Sequence, residues 1–144
     1  MAKTKRSKSL RVVIFNDGDD TIALLSTWLG SHGHHPLTAR LRDMRQADAE
    51  AGRFIERNKA DLVVFDVGLP YVSNWDFGEV LQLLPGAVGV PFVFTTVNKV
   101  ELDKLVGRTN AYQLTGTPSN LEGLLALIYS AVGHAPPTRA RRRT

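Results

Sequence analysis

The chain has 144 residues, of which 43% are hydrophobic and 22% are charged, proportions typical of one globular domain with its own core. It contains no cysteine, which excludes disulfides, thiolate metal sites and cysteine nucleophiles. No apolar stretch approaches the roughly 18 residues of a membrane span, and the basic N-terminus lacks the apolar segment of a secretory signal. We therefore expect a cytoplasmic protein without membrane insertion.

The net charge of +4 comes from the two ends of the chain. Residues 1–9 carry four basic residues and no acid, and residues 139–144 carry four arginines and no acid. The remainder has ten basic residues against all 14 acids, so it is acidic. Basic runs of this kind are usually solvated and disordered. We predict a disordered basic tail over 1–9, a folded domain over 10–133 and a disordered arginine-rich tail over 134–144, with only a weak indication of nucleic-acid binding.

Apolar periodicity predicts five strands that alternate with five helices. The predicted strands are 10–15, 34–41, 62–67, 90–96 and 111–115. The predicted helices are 22–31, 45–58, 75–84, 100–106 and 119–132. Asp20 or Thr21 is expected to cap the first helix, and Ser119 with Glu122 matches a capping box for the last. Alternation of this kind predicts an α/β fold with a parallel sheet and helices on both faces.

Acidic residues stand at the predicted ends of two strands. The run 62–67 has the composition of a buried strand and contains Asp66 near its end, and the first strand is followed by residues 16–20, of sequence NDGDD. A carboxylate in such a place is costly unless it is used or paired. Ligands of open α/β sheets bind at the carboxyl ends of the strands. The sequence therefore predicts a small acidic pocket for a divalent cation, with one carboxylate free to react.

Three histidines, His32, His34 and His35, also lie close together in the sequence. They fall at a predicted turn that has no acidic residue nearby, whereas a metal site needs several converging ligands. We therefore interpret them as exposed loop residues rather than as metal ligands.

Three segments carry a resemblance to a known family. Residues 12–17 read VVIFND, residues 61–70 read DLVVFDVGLP and residues 90–97 read VPFVFTTV. Over about residues 10–133 the chain resembles the receiver domain of bacterial two-component response regulators, whose signature is D-L-V-x-x-D-x-x-L-P. The resemblance implies a doubly wound, flavodoxin-like sheet of five parallel strands in the order 2-1-3-4-5.

The resemblance also implies a set of site residues. Asp66 would accept a phosphoryl group from a sensor histidine kinase or a phosphotransfer protein and become an acyl phosphate. Mg²⁺ would be bound directly by Asp17, Asp66 and the backbone carbonyl of Gly68. Asn16 would act on the cation through water. Thr96 would hydrogen-bond the phosphoryl oxygen and turn toward it, which would change the surface around the fourth strand.

The sequence departs from the family pattern at three positions. Asn16 replaces one residue of the acidic pair, so Mg²⁺ is expected to bind less tightly. Thr117 stands at the position of the family lysine, and no Lys or Arg occurs over 109–137 to replace it. Loss of that charged partner of the phosphoryl group weakens both acceptance and readout. The aromatic switch position falls on Leu114, with Tyr112 as the nearby aromatic alternative.

Three functions remain open at this point. The first is a single-domain response regulator that signals through a downstream protein, as a relay between kinases, or as a homodimer, without turnover of a separate substrate. The second is a degenerate receiver that acts as a phosphorylation-independent interaction module. Asn16 and Thr117 favour the second function, whereas the retained carboxylates and Thr96 oppose it. The third is a small phosphatase-like or flavodoxin-like protein, which is disfavoured because no glycine-rich phosphate loop or histidine base accompanies Asp66.

Overall fold

Five parallel strands form one sheet in the computed structural model, which describes residues 9–133. The strands are β1 Arg11–Phe15, β2 His35–Ala39, β3 Leu62–Asp66, β4 Phe92–Thr96 and β5 Tyr112–Gln113. They lie in the order β2-β1-β3-β4-β5, so the predicted parallel sheet and its order 2-1-3-4-5 are confirmed. The predicted tails lie outside the described residues, apart from Ser9.

Six helices lie in the described part of the chain. They are α1 Asp19–Ser31, α2 Leu41–Met44, α3 Asp48–Arg57, α4 Tyr71–Leu81, α5 Lys99–Val106 and α6 Pro118–Gly133. Within residues 9–133, no helix is both long enough and apolar enough to cross a lipid bilayer.

The central strands are buried on both faces. Successive side chains of a strand point to opposite sides, so each central strand contributes to two core layers. One layer packs against α1 and α6 and includes Val12, Ile14, Leu62 and Val64. The other packs against α3, α4 and α5 and includes Val13, Phe15, Val63 and Phe65. Burial on both sides explains why these strands are continuous apolar runs in the sequence rather than alternating ones.

Several helix boundaries differ from the predicted ones. The first helix begins at Asp19 after Gly18, and no side chain caps it, so the predicted cap at Asp20 or Thr21 is wrong. The helix predicted over 45–58 corresponds to α3, which begins only at Asp48 because the backbone of Ala47 before it is extended. The short α2 lies before residue 45, where no helix was predicted.

The helix after β3 begins at Tyr71 rather than at residue 75. The sequence of residues 68–74 is rich in turn-forming residues, but the N–H of Asn74 already donates to the carbonyl of Pro70 at 3.1 Å. This bond closes the first turn of α4. The helix therefore follows Pro70 directly, and Asn74 lies within its first turn, beside the end of β3.

The last helix begins at Pro118 and is capped by Thr117. Oγ1 of Thr117 accepts a hydrogen bond from the N–H of Asn120 at 3.3 Å, so Thr117 takes the capping place predicted for Ser119. Proline suits the first helical position because its missing N–H would have no partner there. Asn120 also accepts, through Oδ1, from the N–H of Thr115 at 2.8 Å. The position aligned with the family lysine is thus part of a helix cap.

His34 is buried, in contrast to the predicted exposed loop. The residue is 6% exposed, its Nδ1 accepts from the N–H of Leu10 at 3.1 Å, and its Nε2 lies 2.8 Å from the Tyr129 hydroxyl. Because Nδ1 accepts, the neutral ring carries its proton on Nε2. Burial, followed by the charges of His32 and His35, lowers the pKa of His34. The ring therefore ties the start of the sheet to α6.

Gly52 on α3 packs directly against the turn that follows α4. A Cβ at Gly52 would overlap the backbone carbonyl oxygen of Pro85, which cannot turn away as a side chain could. We expect Gly52→Ala to lower the free energy of unfolding by about 2 kcal/mol. Gly30→Ala on α1 is the matched control, since a Cβ there meets nothing within 4 Å, and it should be neutral or slightly stabilising. Urea denaturation measures both variants, and equal effects would contradict this packing.

Candidate functional site

Three neighbouring strands end in polar residues at one edge of the sheet. Asn16 and Asp17 follow β1, Asp66 ends β3, and Thr95 and Thr96 end β4. Because these parallel strands are adjacent, their carboxyl ends meet. A cleft of about 240 Å³, here called the acidic cleft, opens there and is lined by Asn16, Asp17, Gly18, Thr21, Leu41, Asp66, Gly68, Leu69, Asn74 and Val97. The predicted cation ligands are thus brought together, whereas Thr96 is not among the lining residues.

The carboxylate of Asp66 lies in a partly buried position at the bottom of this site. Its Oδ1 accepts a hydrogen bond from Oγ1 of Thr95 at 2.9 Å. Burial raises the pKa of Asp66 to about 6; the hydrogen bond from Thr95 opposes that rise, and the carboxylate of Asp17 adds to it. The ionised form of Asp66 is therefore held at a cost in free energy, which a nearby cation would reduce.

Asp17 and Asn16 differ in exposure although they are adjacent. Asp17 is exposed; its Oδ1 accepts from the backbone N–H of Arg42 at 3.0 Å, and its second carboxylate oxygen has no hydrogen bond from the described residues. Asn16 is 4% exposed, and its Oδ1 accepts from the N–H of Gly18 at 2.8 Å. Asn16 therefore shapes the turn after β1, while Asp17 presents a carboxylate oxygen that can bind a ligand.

The backbone carbonyl of Gly68 already accepts one hydrogen bond. Nδ2 of Asn74 donates to the carbonyl of Gly68 at 2.9 Å and to that of Leu69 at 3.2 Å. Asn74 is 3% exposed, and its Oδ1 accepts from Nη1 of Arg45 at 2.7 Å. A carbonyl oxygen has two lone pairs, so Gly68 can still accept a cation. The sequence analysis missed both Asn74 and Arg45, because no local pattern relates residues 29 positions apart.

The two threonines of β4 have different partners. The strand register places Asp66 opposite Thr95, and successive residues of a strand point to opposite sides. Thr96 is fully buried, and its Oγ1 donates to the carbonyl of Val67 at 2.8 Å. Thr95, which the sequence analysis did not single out, therefore supplies the hydroxyl on Asp66. The switch role predicted for Thr96 requires its hydroxyl to leave the Val67 carbonyl.

Lys99 is the lysine closest in sequence to the end of β4, and its ammonium group binds partners other than Asp66. Its Nζ donates to Oδ2 of Asp103 at 2.9 Å and to the carbonyl of Thr109 at 2.6 Å. These bonds hold α5 against the segment that precedes β5. The position aligned with the family lysine is the uncharged helix cap Thr117, and no Lys or Arg occurs over 109–133. β5 and the loop that follows it therefore bring no positive charge to the acidic cleft.

Both candidates for the aromatic switch position, Leu114 and Tyr112, are held in place by contacts with α6. Leu114 is 6% exposed and belongs to the core between the sheet and α6. The hydroxyl of Tyr112 donates to the carbonyl of Asn120 at 2.7 Å. A Cβ at Gly123 would overlap this hydroxyl, so the glycine makes room for the ring under α6. A switch that used Tyr112 would have to break this hydrogen bond.

The acidic cleft offers oxygen ligands of mixed type. Among the described residues, no three histidine, aspartate or glutamate side chains are grouped to hold a metal ion. The cleft instead has two carboxylates, from Asp17 and Asp66, together with the Gly68 carbonyl and the Asn16 amide. Mg²⁺ prefers oxygen ligands and usually keeps several waters, so this donor set fits it. With only two carboxylates, affinity should be modest.

The chain has the fold of response regulator receiver domains. It is similar to the chemotaxis protein CheY4 of Vibrio cholerae, with a TM-score of 0.60 and 22% identity over 84% of this chain and 99% of that chain. The receiver domain of the sensor histidine kinase PA1611 from Pseudomonas aeruginosa, solved with a magnesium ion in its active site cleft, has a TM-score of 0.62 and 17% identity over 88% and 99%. The anti-anti-sigma factor PhyR from Bartonella quintana has a TM-score of 0.60 and 17% identity over 95% and 55%. No family model and no curated protein matches the chain.

The first prediction for this site concerns the hydroxyl on Asp66. We expect Thr95→Val to raise the pKa of Asp66 above about 6, because the variant loses the hydrogen bond that stabilises the carboxylate. Thr96→Val is the matched control, since it makes the same change at a hydroxyl that contacts Val67 instead. NMR titration of the aspartate carboxyl carbons, without metal ions, measures the pKa. An unchanged pKa in Thr95→Val would show that the contact is unimportant.

A second prediction follows from the cost of ionising Asp66. Its folded pKa of about 6 lies above the ordinary value of 3.8, so its contribution to stability falls as the pH rises through this interval. The difference between the two pKa values corresponds to about 3 kcal/mol. We expect Asp66→Asn to exceed the wild type in unfolding free energy by up to about 3 kcal/mol at pH 7.5, with no difference below about pH 4.

Urea denaturation across this pH range measures the difference. Asp76→Asn, which removes an exposed carboxylate on α4, is the matched control for the loss of a charge. A variant Asp66→Asn that gains no stability at pH 7.5 would contradict the raised pKa.

Proposed function

We propose that this chain is a single-domain response regulator that accepts a phosphoryl group on Asp66 from a sensor histidine kinase or phosphotransfer protein. The observation that supports this proposal best is the position of Asp66, at the end of central strand β3 in the acidic cleft, beside Asp17. Signalling then occurs through protein–protein contacts and not through turnover of a separate substrate.

Mg²⁺ is the cofactor that fits the acidic cleft. Asp17, Asp66 and the carbonyl of Gly68 would hold it, and Asn16 would act through water. When bound, it supplies positive charge that reduces the repulsion between the carboxylate and the incoming phosphoryl oxygens. An amide at Asn16 in place of a second acidic residue leaves the cleft with one negative charge less, which makes this binding weaker.

Asp66 supplies the nucleophile for phosphoryl transfer. Its pKa of about 6 leaves most of the carboxyl ionised at neutral pH. Thr95 occupies Oδ1, so Oδ2 is the oxygen left to attack. A bond forms from this oxygen to phosphorus as the bond from phosphorus to the donor histidine nitrogen breaks, with its electron pair remaining on nitrogen. The product is an acyl phosphate on Asp66.

An exposed apolar surface near the cleft is where a downstream protein or a second copy would bind. Val97 lines the acidic cleft and is 63% exposed, and Val100 and Leu105 of α5 are 66% and 52% exposed. Exposed apolar side chains beside a site can form part of an interaction surface. Phosphorylation adds nearly two negative charges next to Val97, which couples Asp66 to this surface.

A phosphorylation-independent interaction module is the second candidate function. The observation that favours it is Thr117, an uncharged helix cap at the position aligned with the family lysine, with no Lys or Arg over 109–133. In that case the acidic cleft has no role in signalling, and partners bind only through the exposed apolar surface at Val97, Val100 and Leu105.

Intact-protein mass spectrometry after incubation with acetyl phosphate and Mg²⁺ separates the two functions. We expect one phosphoryl group on the wild type and on the control Asp76→Asn, labile to hydroxylamine, and none on Asp66→Asn. Removal of Mg²⁺ should lower the yield strongly. If the wild type takes no phosphoryl group and also fails to bind beryllofluoride, the proposal of phosphoryl acceptance is wrong and the interaction module is supported.

A further inference from the structure

A second cleft, of about 390 Å³, adjoins the acidic cleft. It is lined by Asp17, Arg42, Arg45, Gln46, Leu69, Pro70 and Asn74, and is here called the arginine cleft. Asp17, Leu69 and Asn74 line both clefts, so the two clefts are adjacent. With two arginines and one aspartate, the arginine cleft has an excess of positive charge next to a site built of carboxylates.

One hydrogen bond and one ring contact orient the guanidinium group of Arg45. Its Nη1 donates to Oδ1 of the buried Asn74 at 2.7 Å, and its guanidinium carbon lies 5.9 Å from the centroid of the Phe77 ring. A guanidinium has five N–H donors, and this hydrogen bond is the one that Arg45 makes through its side chain to the described residues. Arg45 is therefore oriented by its surroundings while its remaining donors can bind an anion.

Arg42 contributes a second guanidinium to this cleft. Its backbone N–H donates to Oδ1 of Asp17, but its side chain makes no hydrogen bond or ion pair with the described residues. Neighbouring arginines are different: Arg40 pairs with Asp19, whereas Arg53 and Arg57 both pair with Glu50. The two arginines of the cleft are thus distinguished from these by having no carboxylate partner among the side chains that the structure describes, which do not include that of Asp48.

We propose that the arginine cleft binds the phosphate group of the phosphoryl donor and presents it to Asp66, an inference that rests on the proposed function. Guanidinium groups pair with phosphate oxygens through two parallel hydrogen bonds, which fixes orientation as well as charge. Arg42 and Arg45 then supply, from the segment between β2 and α3, the positive charge that Thr117 lacks on the β5 side.

Asp17 limits the affinity of this cleft for anions. Its carboxylate is shared by both clefts and repels a phosphate group, whereas the two arginines attract it. Binding of inorganic phosphate without a divalent cation should therefore be weak but measurable. By reciprocal linkage, a cation at Asp17 should strengthen phosphate binding, and phosphate should strengthen cation binding by the same factor.

Titration with inorganic phosphate, without divalent cations, tests the cleft separately from phosphorylation. Side-chain N–H resonances of the arginines report the binding in NMR spectra. We expect Arg42→Gln to weaken phosphate binding at least threefold and the double variant with Arg45→Gln at least tenfold. Arg53→Gln is the matched control on α3 and should bind as the wild type does. Arg42→Gln carries the test, since its side chain holds no described structural contact, and wild-type affinity in this variant would overturn the inference.

A comparison of phosphorylation rates distinguishes failure of this inference from failure of the proposed function. With Mg²⁺ and acetyl phosphate, the double variant should be phosphorylated on Asp66 at least tenfold more slowly than the wild type. Phosphoramidate, which carries a phosphorus–nitrogen bond as phosphohistidine does, should show the same loss if the phosphate group itself is recognised. If the rate falls with only one of the two donors, the cleft recognises that donor and not the phosphate group in general.

Two results would distinguish the role of the arginine cleft from the proposed phosphorylation of Asp66. If the double variant binds phosphate and is phosphorylated as fast as the wild type, the arginine cleft has no such role and the proposed function stands. If the wild type takes no phosphoryl group while Arg42→Gln still loses phosphate binding, the anion site stands and the proposed function is wrong.

Discussion

Ionising Asp66, at the end of the buried strand β3, costs free energy, and the rest of the site is arranged around this carboxylate. β3 is buried on both faces, so Asp66 emerges from the core with little water around it. One hydroxyl, from Thr95, stabilises its ionised form, and Asp17 opposes it. A nearby cation would stabilise the ionised form of this carboxylate.

The loops that frame Asp66 are held by side chains that bond to the backbone. Asn16 closes the turn after β1 through the N–H of Gly18, and Asn74 holds the loop after β3 through the carbonyl of Gly68. Both amides are buried, so these bonds are shielded from competition with water. Arg45 extends the second network into the neighbouring cleft. The same contacts that shape the acidic cleft therefore also place a guanidinium beside it.

The sheet and the acidic edge were predictable from the sequence, because apolar runs alternate with amphipathic segments and parallel strands end together. The partner of Asp66 was not, since the choice between Thr95 and Thr96 depends on the register between β3 and β4. Local patterns also misplaced the cap of α6, because Ser119 fits a capping box as well as Thr117 fits the observed cap. The contact between distant segments that positions Arg45 left no sequence signal.

The pKa of Asp66, measured with and without Mg²⁺, tests most directly whether a cation binds at this carboxylate. NMR titration of the carboxyl carbon would follow Asp66, with Asp76 as an exposed reference in the same spectra. Saturating Mg²⁺ should lower the pKa of Asp66 clearly below its metal-free value of about 6, because a bound cation favours the ionised form. A pKa of Asp66 that stays near its metal-free value at saturating Mg²⁺ would contradict a cation site at this carboxylate.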